Sequence, residues 1–226
     1  MSTEVSALGA ARLPIAILIS GRGSNMRAIA ERAADGSLPV EIRVVVSDQA
    51  DAGGLEIARA LGLPTAVLSP RDFPDRASFD RALAALVASY APRLVVLAGF
   101  MRILTTEFIA PFAGRILNIH PSLLPKYRGL HTHRRALEAG DEVHGVTVHF
   151  VTEELDGGPL IIQACLDVRP DDTETVLSAR VQRQEHTLYP QVIEWFATGR
   201  LALDGETVSL DGKKLATPIV IDARGS

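Results

Sequence analysis

The chain has 226 residues, of which 47% are hydrophobic and 22% charged, with 23 Lys and Arg against 27 Asp and Glu. The apolar content is ample for a core and the formal net charge is only -4, which excludes an intrinsically disordered chain. The mildly acidic balance and the 5% aromatic content argue against a nucleic-acid surface, which needs a basic face or stacking rings.

A chain of this length buries roughly 70–75% of its unfolded surface, so a core needs no disulfide or structural metal. One domain over residues 1–226 is expected. Residues 1–13 lack the basic, then apolar, then small-residue pattern of a secretion signal and read as a loose leader. No apolar run approaches ~18 residues, so no membrane-spanning helix is expected. The lone cysteine, Cys165, lies in an apolar strand-like run; it reads as a packed thiol in a cytoplasmic protein.

In chain order, Ile15–Ser20 is a compact apolar run ending at Gly21 and reads as a buried strand. Asn25–Ala34 reads as a helix with Ile29 and Ala33 on one face. Val40–Ser47 is a second strand and Gly54–Leu61 a second helix, stopped by Gly62 and Pro64. Thr65–Leu68 is a third strand, and Arg76–Tyr90 a helix with Phe79, Leu83 and Leu86 on one side. Leu94–Ala98 and Arg115–Ile119 follow as strands. This alternation predicts an α/β fold: an open, mostly parallel sheet with helices on both faces.

Further on, Gly145–Val151 and Leu160–Val168 read as longer strands separated by Gly157 and Gly158. Thr173–Phe196 reads as a long helix that Pro190 should kink or interrupt. Leu201–Val220, punctuated by Gly205 and Gly212, reads as a small terminal β-hairpin.

Three segments carry chemistry. Ser20-Gly21-Arg22-Gly23-Ser24-Asn25 follows the first strand and opens a helix. Its glycines allow close backbone approach, and the free N–H groups of a helix start favour an anion. The spacing matches neither a dinucleotide fingerprint nor a P-loop, so a monophosphate fits better; an ordinary turn with Ser24 or Asn25 as helix cap is the alternative. The second segment is the strand end Asn118-Ile119-His120, where two polar residues at i, i+2 share one side. Ligands of open α/β sheets bind beyond such strand ends, where an amide and an imidazole can stabilise an oxyanion and move protons. Turn capping before Pro121 is the alternative. The third is Asp156, in a loop closed by Gly157 and Gly158. Beside His120, it would favour the protonated imidazole.

Gly21–Asn25, Leu97–Leu104, Asn118–Pro125 and Leu155–Pro159 occur in an order that resembles the phosphoribosylglycinamide formyltransferase family, folate-dependent enzymes of purine synthesis. The likeness runs from about Ile15 to about Leu210. It implies a Rossmann-like fold of the formyltransferase type, with a phosphate-binding N-terminal half and a folate-binding, catalytic C-terminal half. It implies that 10-formyltetrahydrofolate donates a formyl group to the amine of 5-phosphoribosylglycinamide, without a metal. By this resemblance Asn118, His120 and Asp156 match the catalytic trio, and Gly23, Ser24 and Asn25 hold the ribose phosphate. Gln182, Arg183, Gln184 and Glu185 match the glycinamide site. Arg76, Met101, Arg102, Ile103 and Leu104, with Asn118, Thr152, Glu153, Glu154, Leu155 and Asp156, would contact folate. Arg128 departs from the pattern and is similar to the equivalent turn of methionyl-tRNA formyltransferases.

His131 and His133 have no third ligand at a metal-binding spacing, so cap or rim roles are expected for them. His149, in a strand, is placed close to the site. Two other readings fit the same trio. One is a formyltetrahydrofolate deformylase, which carries an extra N-terminal regulatory domain; the other is a non-catalytic folate- or phosphate-binding module, which needs no trio. The tail after Arg200 is short for the basic domain of a tRNA formyltransferase.

Overall fold

The apolar runs of the sequence become the strands of one open sheet. The computed structural model describes residues 12–224. Of the expected leader, residues 1–11 lie outside the described residues, and Leu13 already belongs to the first strand. The elements are β1 (Leu13–Ile19), α1 (Ser24–Ala34), β2 (Val40–Ser47), α2 (Gly53–Ala60), β3 (Thr65–Val67), α3 (Arg76–Ser89), β4 (Leu94–Leu97), α4 (Thr106–Ile109) and β5 (Ile116–His120). They continue as α5 (Thr132–Glu138), β6 (Val143–Phe150), β7 (Leu160–Asp167), α6 (Glu174–Ala197), β8 (Leu201–Asp204), β9 (Thr207–Leu210), β10 (Lys213–Lys214) and β11 (Ile219–Asp222).

Eight strands pair in the order β11-β7-β6-β5-β4-β1-β2-β3. All pairs are parallel except β5 with β6 and β6 with β7. Strand alternation divides the core into two layers. Ile15, Ile17 and Ile19 of β1 pack with Met26 and Ile29 of α1, Leu55 of α2 and Leu188 of α6. Ala16 and Leu18 face the other way, onto Phe79 and Leu83 of α3 and Phe108 of α4. Helices therefore cover both faces, as the βαβ alternation requires. Among the described residues no helix is long and apolar enough to cross a membrane.

One expectation is corrected and another is extended. Pro190 does not interrupt α6, which runs unbroken through it. An interior proline loses its own N–H bond and crowds the carbonyl four residues back, but the surrounding turn is anchored: Leu188, Tyr189, Val192 and Ile193 are buried, and the Tyr189 hydroxyl reaches the carbonyls of Leu97 and Leu117 at 2.9 Å each. The expected terminal hairpin is present as β8 and β9, and a third strand extends it. β8, β9 and β10 form a three-stranded antiparallel sheet, whereas β11 leaves it and pairs in parallel with β7 at the edge of the main sheet. Alternating residues do not specify which neighbour a strand will pair with.

The chain order reverses between β1 and β4, which are neighbours although β2 and β3 lie beyond β1. Such a switch point opens a crevice outside the carboxyl ends of the strands. The loops after β1 and β4 meet there. Ser20 N–H donates to the Gly99 carbonyl (3.0 Å) and Met101 N–H to Ser20 Oγ (2.9 Å).

Candidate active site

A cavity of about 490 Å³ opens beside this switch point. It falls in the ~300–1,000 Å³ range of small-molecule sites. Met101, Arg102, Ile103 and Leu104 line it, with Asn118 and His120 of β5 and the whole Thr152–Asp156 loop. Met101 and Leu130 are left about two-thirds exposed at its rim. Such exposure of large apolar side chains marks a surface that a ligand can cover. Arg76 does not line the cavity; its guanidinium donates to the Ile103 carbonyl and so braces the rim.

The catalytic candidates converge at one end of this cavity. His120 Nδ1 stands 3.4 Å from Asp156 Oδ2, with both side chains buried. His120 Nε2 lies 2.9 Å from the Tyr127 carbonyl. A carbonyl can only accept, so Nε2 carries a hydrogen. Both ring nitrogens thus face acceptors, and the doubly protonated ring satisfies both. Asp156 Oδ2 also accepts the Gly129 N–H at 2.8 Å, which ties the 152–156 loop to the 126–131 loop. The Arg128–Glu154 ion pair links the same two loops at the surface.

Asp156 sits in the left-handed region, with φ 48°. Aspartate is among the residues that tolerate it. The turn that follows has no room for side chains. A Cβ on Gly158 would lie 2.0 Å from the Phe150 carbonyl oxygen. The Gly157-Gly158 pair is therefore what lets the loop fold back and deliver Asp156 to His120.

His149 was expected near the site and proves to be a partner of Asn118. The β5–β6 register sets Asn118 opposite His149. His149 Nδ1 donates to the Phe150 carbonyl at 2.8 Å. Burial pushes its pKa down, so Nε2 is bare and accepts from Asn118 Nδ2 at 3.1 Å. One N–H of the Asn118 amide is thus held, and the other remains for a ligand. No single-sequence signal paired these residues, because the pairing depends on antiparallel register.

Of the remaining histidines, His131 and His133 line the cavity, as the expected rim role requires. His131 is the left-handed N-cap residue of α5 and makes no side-chain cap bond. His133 Nδ1 lies 3.1 Å from His144 Nε2, so the ring faces another histidine. Among the described residues no cluster of His, Cys, Asp and Glu is arranged to hold a metal ion. Burial lowers the pKa of His133 and pushes that of His144 down to about 4. A group whose folded pKa lies below its unfolded value binds fewer protons when folded. Stability should therefore be full near neutral pH and fall as pH drops from about 6.5 towards about 4. Melting temperatures at pH 7.5, 6 and 4.5 check this; a flat series for the wild type would contradict it.

The expected phosphate and glycinamide residues do not line this cavity. Ser24, Asn25, Gln182 and Glu185 meet at the seam of α1 and α6. Gly23 is the left-handed N-cap residue of α1 (φ 73°), and no side chain caps that helix. A Cβ on Gly23 would lie 2.6 Å from Gly54 Cα, so glycine is required by both φ and space. Neither Ser24 nor Asn25 is the cap. Gln182 donates to Ser24 Oγ (3.0 Å), and Asn25 Nδ2 donates to Glu185 Oε2 (2.7 Å). Asn25 Oδ1 is buried without a partner. Burial raises the Glu185 pKa, opposed by the Asn25 bond and by Arg22. Arg183 and Gln184 are not brought to Ser24 or Asn25. They are turned about 100° and 200° around α6 from Gln182, and Arg183 is exposed.

Two buried carboxylates beneath the cavity wall carried no sequence signal. Asp80 Oδ2 accepts the Thr105 N–H at 2.6 Å. Asp48 Oδ2 lies 4.0 Å from the Arg102 guanidinium, which also stacks 5.0 Å from the centre of the Phe79 ring. Both hold the 101–105 segment in place.

With this geometry in hand, likeness to known proteins becomes specific. The sequence pattern of the formyl transferase family matches residues 13–193. The phosphoribosylglycinamide formyltransferase of Escherichia coli is 54% identical over 201 residues, covering 89% of this chain and 95% of that one. A human trifunctional purine biosynthetic protein is 40% identical over 189 residues, 84% of this chain and 19% of its own length. The solved phosphoribosylglycinamide formyltransferase of Coxiella burnetii superposes with a TM-score of 0.89 at 49% identity, over 93% of this chain and 99% of that one. The chain belongs to the formyl transferase family, and within it to the phosphoribosylglycinamide formyltransferases.

Proposed function

We propose that this single-domain enzyme transfers the formyl group of 10-formyltetrahydrofolate to the amine of 5-phosphoribosylglycinamide, releasing tetrahydrofolate. The observation that carries this reading is the convergence of Asn118, His120 and Asp156 at one end of a ligand-sized cavity. The rim residues Met101, Ile103, Leu104 and Leu155 offer apolar surface to a flat heterocycle, and Arg102 offers positive charge to an anionic tail. At the α1–α6 seam, the uncapped helix start at Gly23 and Ser24 suits a phosphate. Gln182, Glu185 and Asn25 suit the polar body of the ribonucleotide.

The amine is its own nucleophile, so no enzyme serine or cysteine is needed. As its nitrogen bonds to the formyl carbon, the formyl oxygen gains negative charge. The free N–H of Asn118 and the positive charge of a protonated His120 favour that oxyanion, and Asp156 keeps the ring oriented. The carbon–nitrogen bond to the folate then breaks, and the proton that the amine loses ends on the folate nitrogen that leaves, giving tetrahydrofolate. No residue in this scheme calls for a metal or a nucleic acid. Cys165, a free thiol whose pKa burial raises, fits a cytoplasmic protein and takes no part.

The test is release of tetrahydrofolate with and without the ribonucleotide. Strict dependence on the amine is expected; release to water alone would make the enzyme a deformylase. Glu185→Ala should raise the ribonucleotide KM about tenfold or more and leave the formyl-donor KM unchanged. Equal changes in both would detach Glu185 from the ribonucleotide site.

A further inference from the structure

We propose that Tyr127 is a positioning residue for His120: its side chain is anchored so that its backbone carbonyl stays in place to accept the His120 Nε2 hydrogen. This rests on the role given to His120 above.

Three observations carry it. Tyr127 adopts the left-handed conformation, φ 56°, which disfavours any residue with a bulky side chain. Such a conformation persists only where the surroundings over-determine it. The surroundings here do so from several sides. The Tyr127 hydroxyl donates to Asp141 Oδ2 at 2.7 Å. Lys126 Nζ and the Arg135 guanidinium lie 5.8 and 5.0 Å from the centre of the ring. Lys126 also pairs with both oxygens of Asp141, at 2.9 and 3.0 Å. Arg135 in turn donates to the Arg128 carbonyl at 2.7 Å and pins the next peptide. The end of this chain of contacts is the Tyr127 carbonyl, 2.9 Å from His120 Nε2.

The consequence is chemical. A carbonyl cannot donate, so Nε2 keeps its hydrogen while this loop is in place. Tyr127 therefore makes His120 Nε2 a fixed N–H donor rather than a proton carrier.

The test combines kinetics with ¹⁵N NMR of the His120 ring. Tyr127→Phe removes the hydroxyl anchor, and Asp141→Ala attacks the same bond from an independent position should the first variant fail to fold. Each should lower kcat about tenfold while both KM values stay within about twofold. Each should also move the His120 Nε2 resonance. Asp141→Asn keeps an acceptor for the hydroxyl and should retain most of both properties. Wild-type kcat with unmoved His120 signals would overturn the proposal. So would a loss of kcat in which KM rises in step and the signals do not move. Moved signals at full kcat would leave the positioning intact and remove His120 from the transfer step instead.

Discussion

Replacing His120 with Ala should lower kcat by about 10²–10³-fold. The variant should still bind the formyl donor with a KM within about twofold of wild type. The asymmetry follows from where His120 stands. Its ring sits at the polar end of the cavity, between Asp156 and the Tyr127 carbonyl, whereas the apolar wall is built by Met101, Ile103, Leu104 and Leu155. Removing the ring deletes charge that matters when the formyl oxygen becomes an oxyanion, and leaves the surface that covers the ground-state ligand. The variant also strands the Asp156 carboxylate beside the developing negative charge, which adds to the loss. Steady-state kinetics with both substrates varied decides the matter. A kcat near wild type would remove His120 from the transfer step, and a KM that rises as steeply as kcat falls would make it a binding residue.

The largest stability effect should come from a position with no chemistry. Gly145→Ala places a methyl group where the Ala164 carbonyl oxygen stands, 1.9 Å from the new Cβ, with Leu123 Cδ2 at 2.8 Å. Gly145 lies in β6, opposite Cys165 of β7, so the obstacle is the backbone of the neighbouring strand rather than a side chain that could swing away. The strands must part locally or lose ladder bonds. Overpacking of this kind costs about 3 kcal/mol or more. Urea unfolding should show that loss, together with weaker activity, because β6 also carries His149. An unchanged midpoint would mean that the β6–β7 pair yields more readily than the close approach implies. Gly36→Ala gives a contrast for backbone strain alone: nothing lies within 4 Å of its Cβ position, but its φ is 81°. It should cost about 1 kcal/mol.

Much of this was legible in the chain. The expected bounds of β2 match the structure, and those of α1, α2 and α3 differ by a residue at one or both ends, because strong apolar periodicity and glycine stops act locally. The glycine loop and the Asn118–His120 strand end were legible for the same reason: a tight turn and an i, i+2 pair are properties of a few consecutive residues. The resemblance carried the roles of Asp156 and the α6 residues. It named four consecutive positions on α6, and helix geometry turns only Gln182 and Glu185 towards α1.

The rest was not local. His149 orients Asn118 only because β6 runs antiparallel to β5 in one register, and a shift of one residue would have sent it to the other face. β11 pairs with β7 instead of extending the small sheet, a choice between two neighbours that its own residues do not encode. Pro190 sits within an unbroken helix because buried neighbours and the Tyr189 hydroxyl hold both sides of it. The sequence by itself determined an α/β chain of modest acidity with a glycine loop and a polar strand end, since those features depend on short-range spacing, and the family resemblance of its motifs pointed to formyl transfer. Only the tertiary structure decided which groups touch His120. Asp156, Tyr127 and the neighbouring His149 come from separate segments, and their meeting depends on strand register and loop closure, which are set by packing across the whole sheet.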